Sequence, residues 1–364
     1  MDEGDRPERA SLAVTEVLSA DTSGFARVVS PRPFAFPDDH GPHPSYRTEW
    51  WYYTGNLSAP TGRRFGYQFT VFRTALSPPE PDSLHDATWS TRQLFMAHFA
   101  LSDVDDDAFY AFERFSRGAG GLAGAEASPY HVWLEDWDVA GQTADSVRLR
   151  ARADGPPSVS VNLSLRRLKP VVPQGEGGLD RKGPEPGNAS YYYSMTRMVT
   201  EGTVTVDADS FEVAGLSWLD REWSTSALGP DQIGWDWFSL QLDDGRDLMF
   251  YRLRQTDGTA SPYSNGVVVA SDGAVRRLEV EDVELEPLRY WESPATGARY
   301  PVEWAVRVPS LSIDLRIAPV LDRQELNHTV TYWEGAVDVD GSHTGRGYVE
   351  MTGYSEAVDV HRGG

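Results

Sequence analysis

Laid out as a β-strand, Gly215-Leu216-Ser217-Trp218-Leu219-Asp220-Arg221-Glu222-Trp223 turns Leu219, Arg221 and Trp223 to one face. Trp218, Asp220 and Glu222 then occupy the other. Two carboxylates, a guanidinium and two indoles share six residues. Charged groups beside large apolar rings are paired or have shifted pKa values, and both situations gather at functional sites. A short loop later, Gly234-Trp235-Asp236-Trp237-Phe238 repeats the mixture. Any chemistry this chain performs is expected around these two segments.

Working outward, the rest of the chain reads as more strands. Glu49-Trp50-Trp51-Tyr52-Tyr53-Thr54-Gly55-Asn56-Leu57 is an aromatic strand, and Pro60-Thr61-Gly62 turns it into Phe65–Arg73. Further strands are expected at Phe95–Ser102, Ala108–Phe115, His131–Val139, Val147–Ala153, Val159–Arg166, Tyr191–Val199, Gly202–Val206 and Phe211–Trp223. The second half continues with Trp235–Leu242, Leu248–Arg254, Gly266–Ala270, Val275–Leu285, Val302–Val308, Ser312–Pro319, Thr331–Val339 and Gly345–Tyr354. No long segment carries a 3.6-residue period, so the fold class is all-β. Met1 to Ser30 reads as a mobile arm, Pro78 to Trp89 as a polar loop, and Pro170 to Gly187 as a structureless insertion.

A repeat divides the chain. Trp50-x-Tyr52, Leu57, Gly62-Arg63 and Arg73 correspond to Trp235-x-Trp237, Leu242, Gly245-Arg246 and Arg252, with seven residues from Trp to Leu in both. Two domains are therefore expected, 31–226 and 227–364, after an arm at 1–30. Each would be a barrel of about eight strands, wide enough for side chains or one small ligand.

Composition narrows the partners. The 364 residues are 40% hydrophobic and 12% aromatic, enough for two cores, and the net charge of −22 argues against nucleic acid and anionic membranes. Of 33 basic residues only Lys169 and Lys182 are lysine. An acidic, Arg-for-Lys surface suits high salt (a halophilic protein), and GC-rich coding is the alternative. There is no cysteine, so disulfides and thiolate chemistry are excluded. No apolar run reaches the ~18 residues of a membrane span, and membrane association is left open. Met1 to Ala20 is acidic and is not itself a signal peptide. A periplasmic or extracellular place would need an export signal that has been removed; otherwise the cytoplasm is expected.

The blocks Thr48-Glu49-Trp50-Trp51-Tyr52, Trp218-Leu219-Asp220-Arg221-Glu222-Trp223, Gly234-Trp235-Asp236-Trp237 and Tyr332-Trp333-Glu334-Gly335-Ala336-Val337 resemble the family of hydroxyneurosporene synthase (carotenoid 1,2-hydratase) and the AttH proteins. The resemblance runs from about Tyr46 to Tyr354. It implies two tandem lipocalin-like antiparallel β-barrels with a cavity at or between them, and a long apolar isoprenoid or acyl ligand. In the hydratases it implies acid-catalysed addition of water to a double bond without a cofactor; related proteins are cyclases, and many bacterial members are exported. The family usually has His after the Asp of the second block. Here that residue is Arg221, which keeps its proton and cannot shuttle one.

Hydrating an alkene requires an acid strong enough to protonate carbon, a setting that tolerates the cation, and a placed water. A carboxyl kept protonated by burial beside apolar rings meets the first need, and aromatic faces meet the second. Asp220 is the candidate acid, with Glu49, Glu222 and Asp236 behind it, and Glu49 and Arg221 its candidate catalytic companions. The competing reading pairs Asp220 with Arg221, Arg252 or Arg254 as a structural salt bridge. Trp51, Tyr53, Trp218, Trp223, Asp236, Trp237, Tyr251 and Arg252 are the candidate ligand wall, while Trp50 and Trp235 are assigned to the core. His40-Gly-Pro-His43 reads as a solvated loop rather than a metal site, and His98 as a partly buried, hydrogen-bonded side chain. There is no G-x-S-x-G elbow for serine hydrolysis. Two functions remain: an enzyme acting on an unsaturated apolar chain, and a non-catalytic lipophile carrier of the cell envelope.

Overall fold

The computed structural model describes residues 22–79, 92–226 and 228–355. Among them the only helical pieces are four 3-10 turns of three residues each, and nearly everything else is antiparallel strand. The expected loop Pro78 to Trp89 lies almost wholly outside the described residues, as does the expected arm up to Asp21. Residues 22–30 are tied to the first sheet at two points: Val28 is buried in its core, and the Tyr191 hydroxyl donates to the Ser30 carbonyl at 2.9 Å.

Thirteen strands form the first sheet. From one edge its order is Ala108–Arg117, Gln93–Asp103, Arg64–Ala75, Thr48–Ser58, Asp209–Ser224 and Ala189–Val206. It continues through Val159–Arg167, Ser146–Ala153, Trp137–Thr143, Tyr130–Leu134 and Ala123–Ala127. The ten-stranded second sheet starts with Val275–Glu279, Asn265–Val269, Asp247–Gln255, Gln232–Leu242 and Gly345–Thr352. Thr331–Gly341, Ile313–Pro319, Arg299–Val308 and Glu284–Glu292 complete it. The first sheet curls into a near-barrel and the second into a half-barrel, in tandem.

Both sheets are covered on both faces where they meet. In the first, Trp51, Tyr53, Phe69, Val71, Phe99 and Leu219 point into the barrel and form its core. The alternate residues, Tyr52, Tyr192 and Trp218, face the second sheet and pack with its Trp237, Tyr251 and Tyr348. In the half-barrel, Phe238, Leu240, Phe250, Trp304 and Val337 fill the concave side. Two-sided burial is why these strands carry aromatics at consecutive positions instead of alternating with polar residues. Buried polar bonds lock the contact. Asn56 Nδ2 donates to the Gly347 carbonyl at 3.0 Å, and Gln241 Nε2 donates to the Thr196 and Ser217 carbonyls at 2.7 and 3.0 Å. Lys169, Thr196 and Arg197 converge on Asp247 at 2.7–2.9 Å.

Several expected strands differ in detail. His131–Val139 is two strands, because Glu135 adopts φ 58° and turns the chain. Tyr191–Val199 and Gly202–Val206 are one strand: Gly202 stays in register opposite Val213, and the only irregularity in the pairing with Asp209–Ser224 lies between Met195 and Met198. Val275–Leu285 is interrupted at Val280–Asp282, and its last residue belongs to Glu284–Glu292. Pro170–Gly187 is not structureless: Val172–Pro173 and Leu179–Arg181 pair with Ala189–Val206, and Val172, Gln174, Leu179 and Asp180 are buried.

Candidate active site

A cavity of about 460 Å³ opens between the two sheets, in the size range of a small-molecule site. From the first sheet it is lined by Trp50, Tyr52, Phe72, Met96, His98, Tyr192, Asp220 and Glu222. From the second come Trp235, Trp237, Tyr251, Leu253, Tyr332, Glu334, Glu350 and Thr352. The two aromatic hairpins of the repeat meet here face to face. Trp50 and Tyr52 stand on one wall, Trp235 and Trp237 on the other, and Tyr52 meets Trp237 edge-on with centroids 5.1 Å apart.

Strand alternation sorts the candidates. Pairing of Tyr52 with Asp220 and of Trp50 with Glu222 puts those four on the cavity face. Trp51 pairs with Arg221 and Glu49 with Trp223, which turns those four toward the barrel interior. Trp51 and Tyr53 are core, whereas Trp50 and Trp235, expected in the core, are half-buried walls of the cavity. Trp223 is also core, with the His43 ring stacked on it at 3.8 Å.

Arg221 does not face the cavity. Its guanidinium lies 3.9 Å over Trp51 and pairs with Glu49, which also takes Arg73 and the His43 amide. Burial raises the Glu49 carboxyl, but the two guanidiniums overcome it and hold the group well below the usual carboxylate range. His43 further contacts Asp39 at 3.0 Å, and His40 contacts the Tyr193 hydroxyl at 2.6 Å. His40-Gly-Pro-His43 is therefore a packed polar cap on the barrel and not a solvated loop. Asp236 is likewise turned from the cavity: it pairs with Arg252 at 2.8 Å and accepts from Tyr354 at 2.8 Å.

Among the described residues Asp220 has no basic partner, so the salt-bridge alternative does not describe it. Oδ1 accepts from Trp218 Nε1 at 2.7 Å and from the Ser194 hydroxyl, and Oδ2 accepts from the Tyr192 hydroxyl. Each hydroxyl is oriented from behind: Gln174 Nε2 donates to Ser194 at 2.8 Å, and Trp237 Nε1 to Tyr192 at 3.3 Å. Trp218 and Ser194 lie behind the carboxyl, while Tyr192 shares the cavity wall with it. Burial raises Asp220 to about 7, against the lowering pull of its three donors and with a small push from Glu222. A neighbouring Glu222 is also raised by burial, although Lys182 Nζ sits 3.3 Å away.

Across the cavity stands a second acidic group. Glu334 and Glu350 are direct cross-strand partners, Glu334 buried and Glu350 half-buried. Burial lifts Glu350 to about 8 against the Trp235 Nε1 bond at 3.2 Å. Burial and then Glu350 push Glu334 well above the carboxylate range. His98 is wholly buried, its Nδ1 2.7 Å from the Tyr332 hydroxyl. Tyr192, Glu334, Glu350 and Lys182 are not among the site residues expected from the sequence, and His98 is expected there only as a partly buried, hydrogen-bonded side chain. A Glu inside Tyr348-Val349-Glu350-Met351 was the one visible signal, an acid in an otherwise apolar strand. Among the described residues no cluster of His, Asp and Glu has the geometry of a metal site.

The AttH-like family model matches residues 27–354. A protein described as AttH from Nitrosomonas europaea is 36% identical, with TM-score 0.80 over 91% of this chain and 100% of its own. Kievitone hydratase from Nectria haematococca superposes with TM-score 0.66 at 15% identity, over 90% of this chain and 96% of its own. CghA, solved with Sch210972, gives TM-score 0.52 at 14% identity, over 92% and 97%. The last two likenesses establish the fold. No curated protein matches the chain by sequence.

Proposed function

Because this chain belongs to the AttH-like family, we propose that it is a lipocalin-like enzyme that adds water across, or cyclises through, a carbon–carbon double bond of an apolar ligand held between its sheets. One observation carries the reading: a buried, cation-free carboxyl, Asp220, raised to about 7, faces a cavity walled by aromatic rings. An acid poised near the working pH has both the proton and the driving force to transfer it. The fold of a hydratase, kievitone hydratase, is consistent with this chemistry, and the ligand's class is argued from the cavity alone.

In the proposed reaction Asp220 gives its proton to one alkene carbon, and the electron pair of the double bond forms the new C–H bond. The adjacent carbon becomes cationic, and the faces of Trp50, Tyr52, Trp235 and Trp237 stabilise it. Water forms the C–O bond and returns a proton to the now ionised carboxylate, so the enzyme ends as it began. In cyclisation a second double bond supplies the electron pair for a new C–C bond, and the cation left on its far carbon loses a proton to the Asp220 carboxylate. Trp218, Ser194 and Tyr192 act as positioning residues that hold the carboxyl and stabilise its anion after transfer. A cavity of about 460 Å³ suits a medium-sized unsaturated molecule or the reacting end of a longer isoprenoid or acyl chain.

The test starts with mass spectrometry of small molecules that copurify with the protein, followed by incubation in heavy-oxygen water. The expected product carries one heavy oxygen, or in deuterium oxide one carbon-bound deuterium. A ligand that binds and is released unlabelled and unrearranged would overturn the enzymatic reading in favour of a lipophile carrier.

A further inference from the structure

We propose that the half-barrel wall of the cavity is a subsite for an organic cation, where Glu334 and Glu350 face the positive group of an alkylammonium-type ligand and the remaining space takes its apolar body. The inference rests on the reading of this cavity as the ligand site and adds the charge of the ligand.

Fold stability does not account for these two acids. Ionised, the directly opposed Glu334 and Glu350 would repel each other, and protonated they are two polar groups set in a largely apolar wall. Glu334 is 1% exposed; the Tyr52 and Tyr332 hydroxyls stand against it and pull its carboxyl down, yet neither of its oxygens completes a well-formed hydrogen bond, and the buried Tyr52 hydroxyl completes none. Unpartnered buried polar groups cost free energy, which is recovered when a ligand satisfies them. All three residues line the cavity. The rings around them (Tyr52, Trp235, Trp237 and Tyr332) offer faces and edges to a positive group.

Arg47, Arg73 and Lys182 line the cavity, and Nη1 of Arg73 completes no hydrogen bond. Arg73 is bound to Glu49 and to the His43 and Tyr46 carbonyls, and Lys182 to Asp180 and Glu222. Asp220 and Glu222 add negative charge from the opposite wall once ionised. The other titratable groups facing the pair are the Tyr52, Tyr332 and Tyr348 hydroxyls, with His98 behind Tyr332. In the empty cavity the pair is kept protonated by burial, and a cation exchanges for that proton. Such a site rejects anions.

The experiment compares three ligands with one decyl chain: decyltrimethylammonium, whose charge does not titrate, decanol and decanoate. Affinities are measured by calorimetry from about pH 6 to about pH 8 on the wild-type chain and on Glu334→Gln and Glu350→Gln. The ammonium is expected to bind at least about tenfold tighter than decanol near pH 8, with decanoate weakest. Its affinity should fall by about tenfold per unit of pH below that, as one proton must leave for each cation bound. Each Gln variant should lose most of the ammonium preference while decanol still binds, which also shows the variant folded. Equal binding of ammonium and decanol near pH 8, or a preference that survives both substitutions, overturns the cation subsite and leaves the apolar-ligand reading standing. Binding of none of the three overturns both.

Discussion

Asp220 is an acid because of where it is buried, and this makes its pH behaviour calculable in sign. Its ordinary pKa is 3.8 and in the folded chain it is about 7, so the folded protein keeps a proton that the unfolded chain releases. Its contribution to stability is therefore full below about pH 4, is lost as pH rises to about 7, and stays lost above that. The loss is roughly 4 kcal/mol across the window. Glu350 and Glu334 act in the same direction, while Glu49 and Asp39, held low, oppose only below about pH 4. Asp220→Asn should flatten the fall in thermal midpoint between about pH 4 and pH 7 and, once the substrate is identified, reduce turnover at least about 100-fold with binding retained. A variant as pH-sensitive as the wild type would show that Asp220 is not the titrating group. Arg221 has a different part. Arg221→Ala should cost about 3 kcal/mol in denaturant unfolding, because it takes one of two guanidiniums from the buried Glu49 and uncovers the Trp51 ring, and should leave cavity affinity unchanged.

At the scale of the element, the two aromatic hairpins explain the cavity. Each strand is buried on both faces, so its odd and even residues serve different cores, and the Trp-x-aromatic pair of each copy reaches the shared space. The second copy enters the sheet through Gly234, which has φ 147° and sits where the pairing with Asp247–Gln255 shifts register. A Cβ there would stand 2.3 Å from the Thr352 carbonyl oxygen, a backbone atom that cannot swing away. Gly234→Ala should therefore destabilise by about 1–3 kcal/mol and move Thr352 and Trp235, both on the cavity wall. A variant with unchanged unfolding midpoint and unchanged ligand affinity would show that the strand can shift without cost.

For the molecule as a whole, the chain carries a net charge of −22, and the contact between the sheets combines apolar packing with buried polar bonds such as that of Lys169 to Asp247. If the acidic, Arg-for-Lys surface is an adaptation to salt, screening should stabilise the protein. The thermal midpoint is then expected to rise by at least about 5 °C from dilute to molar sodium chloride. A flat or falling midpoint would favour GC-rich coding as the origin of the composition. The same screening should leave the pH dependence due to Asp220 nearly unchanged, since that group is buried and weakly screened.

Strand alternation and turn chemistry are local, so Gly215–Trp223 already separated Asp220 from Arg221, and the quoted aromatic blocks already pointed to the family and its all-β fold. Local pattern also sufficed for the two aromatic hairpins, Thr48–Ser58 with Arg64–Ala75 and Gln232–Leu242 with Asp247–Gln255, and for the suspicion that a carboxyl among indoles is not an ordinary one. It could not say which face of a doubly buried strand meets a cavity, because aromatic rings suit a core and a ligand wall equally. That is why Trp50 and Trp51 exchanged places between expectation and structure. Nor could it bring Tyr192 to Asp220 or Glu334 to Glu350, or deliver Lys182 from the Pro170–Gly187 segment. Those contacts join residues far apart in the chain, and they exist only because one curled sheet closes against another. The pKa values follow from the same closure: a carboxyl is raised by the water that packing removes, and no stretch of sequence records how much water that is.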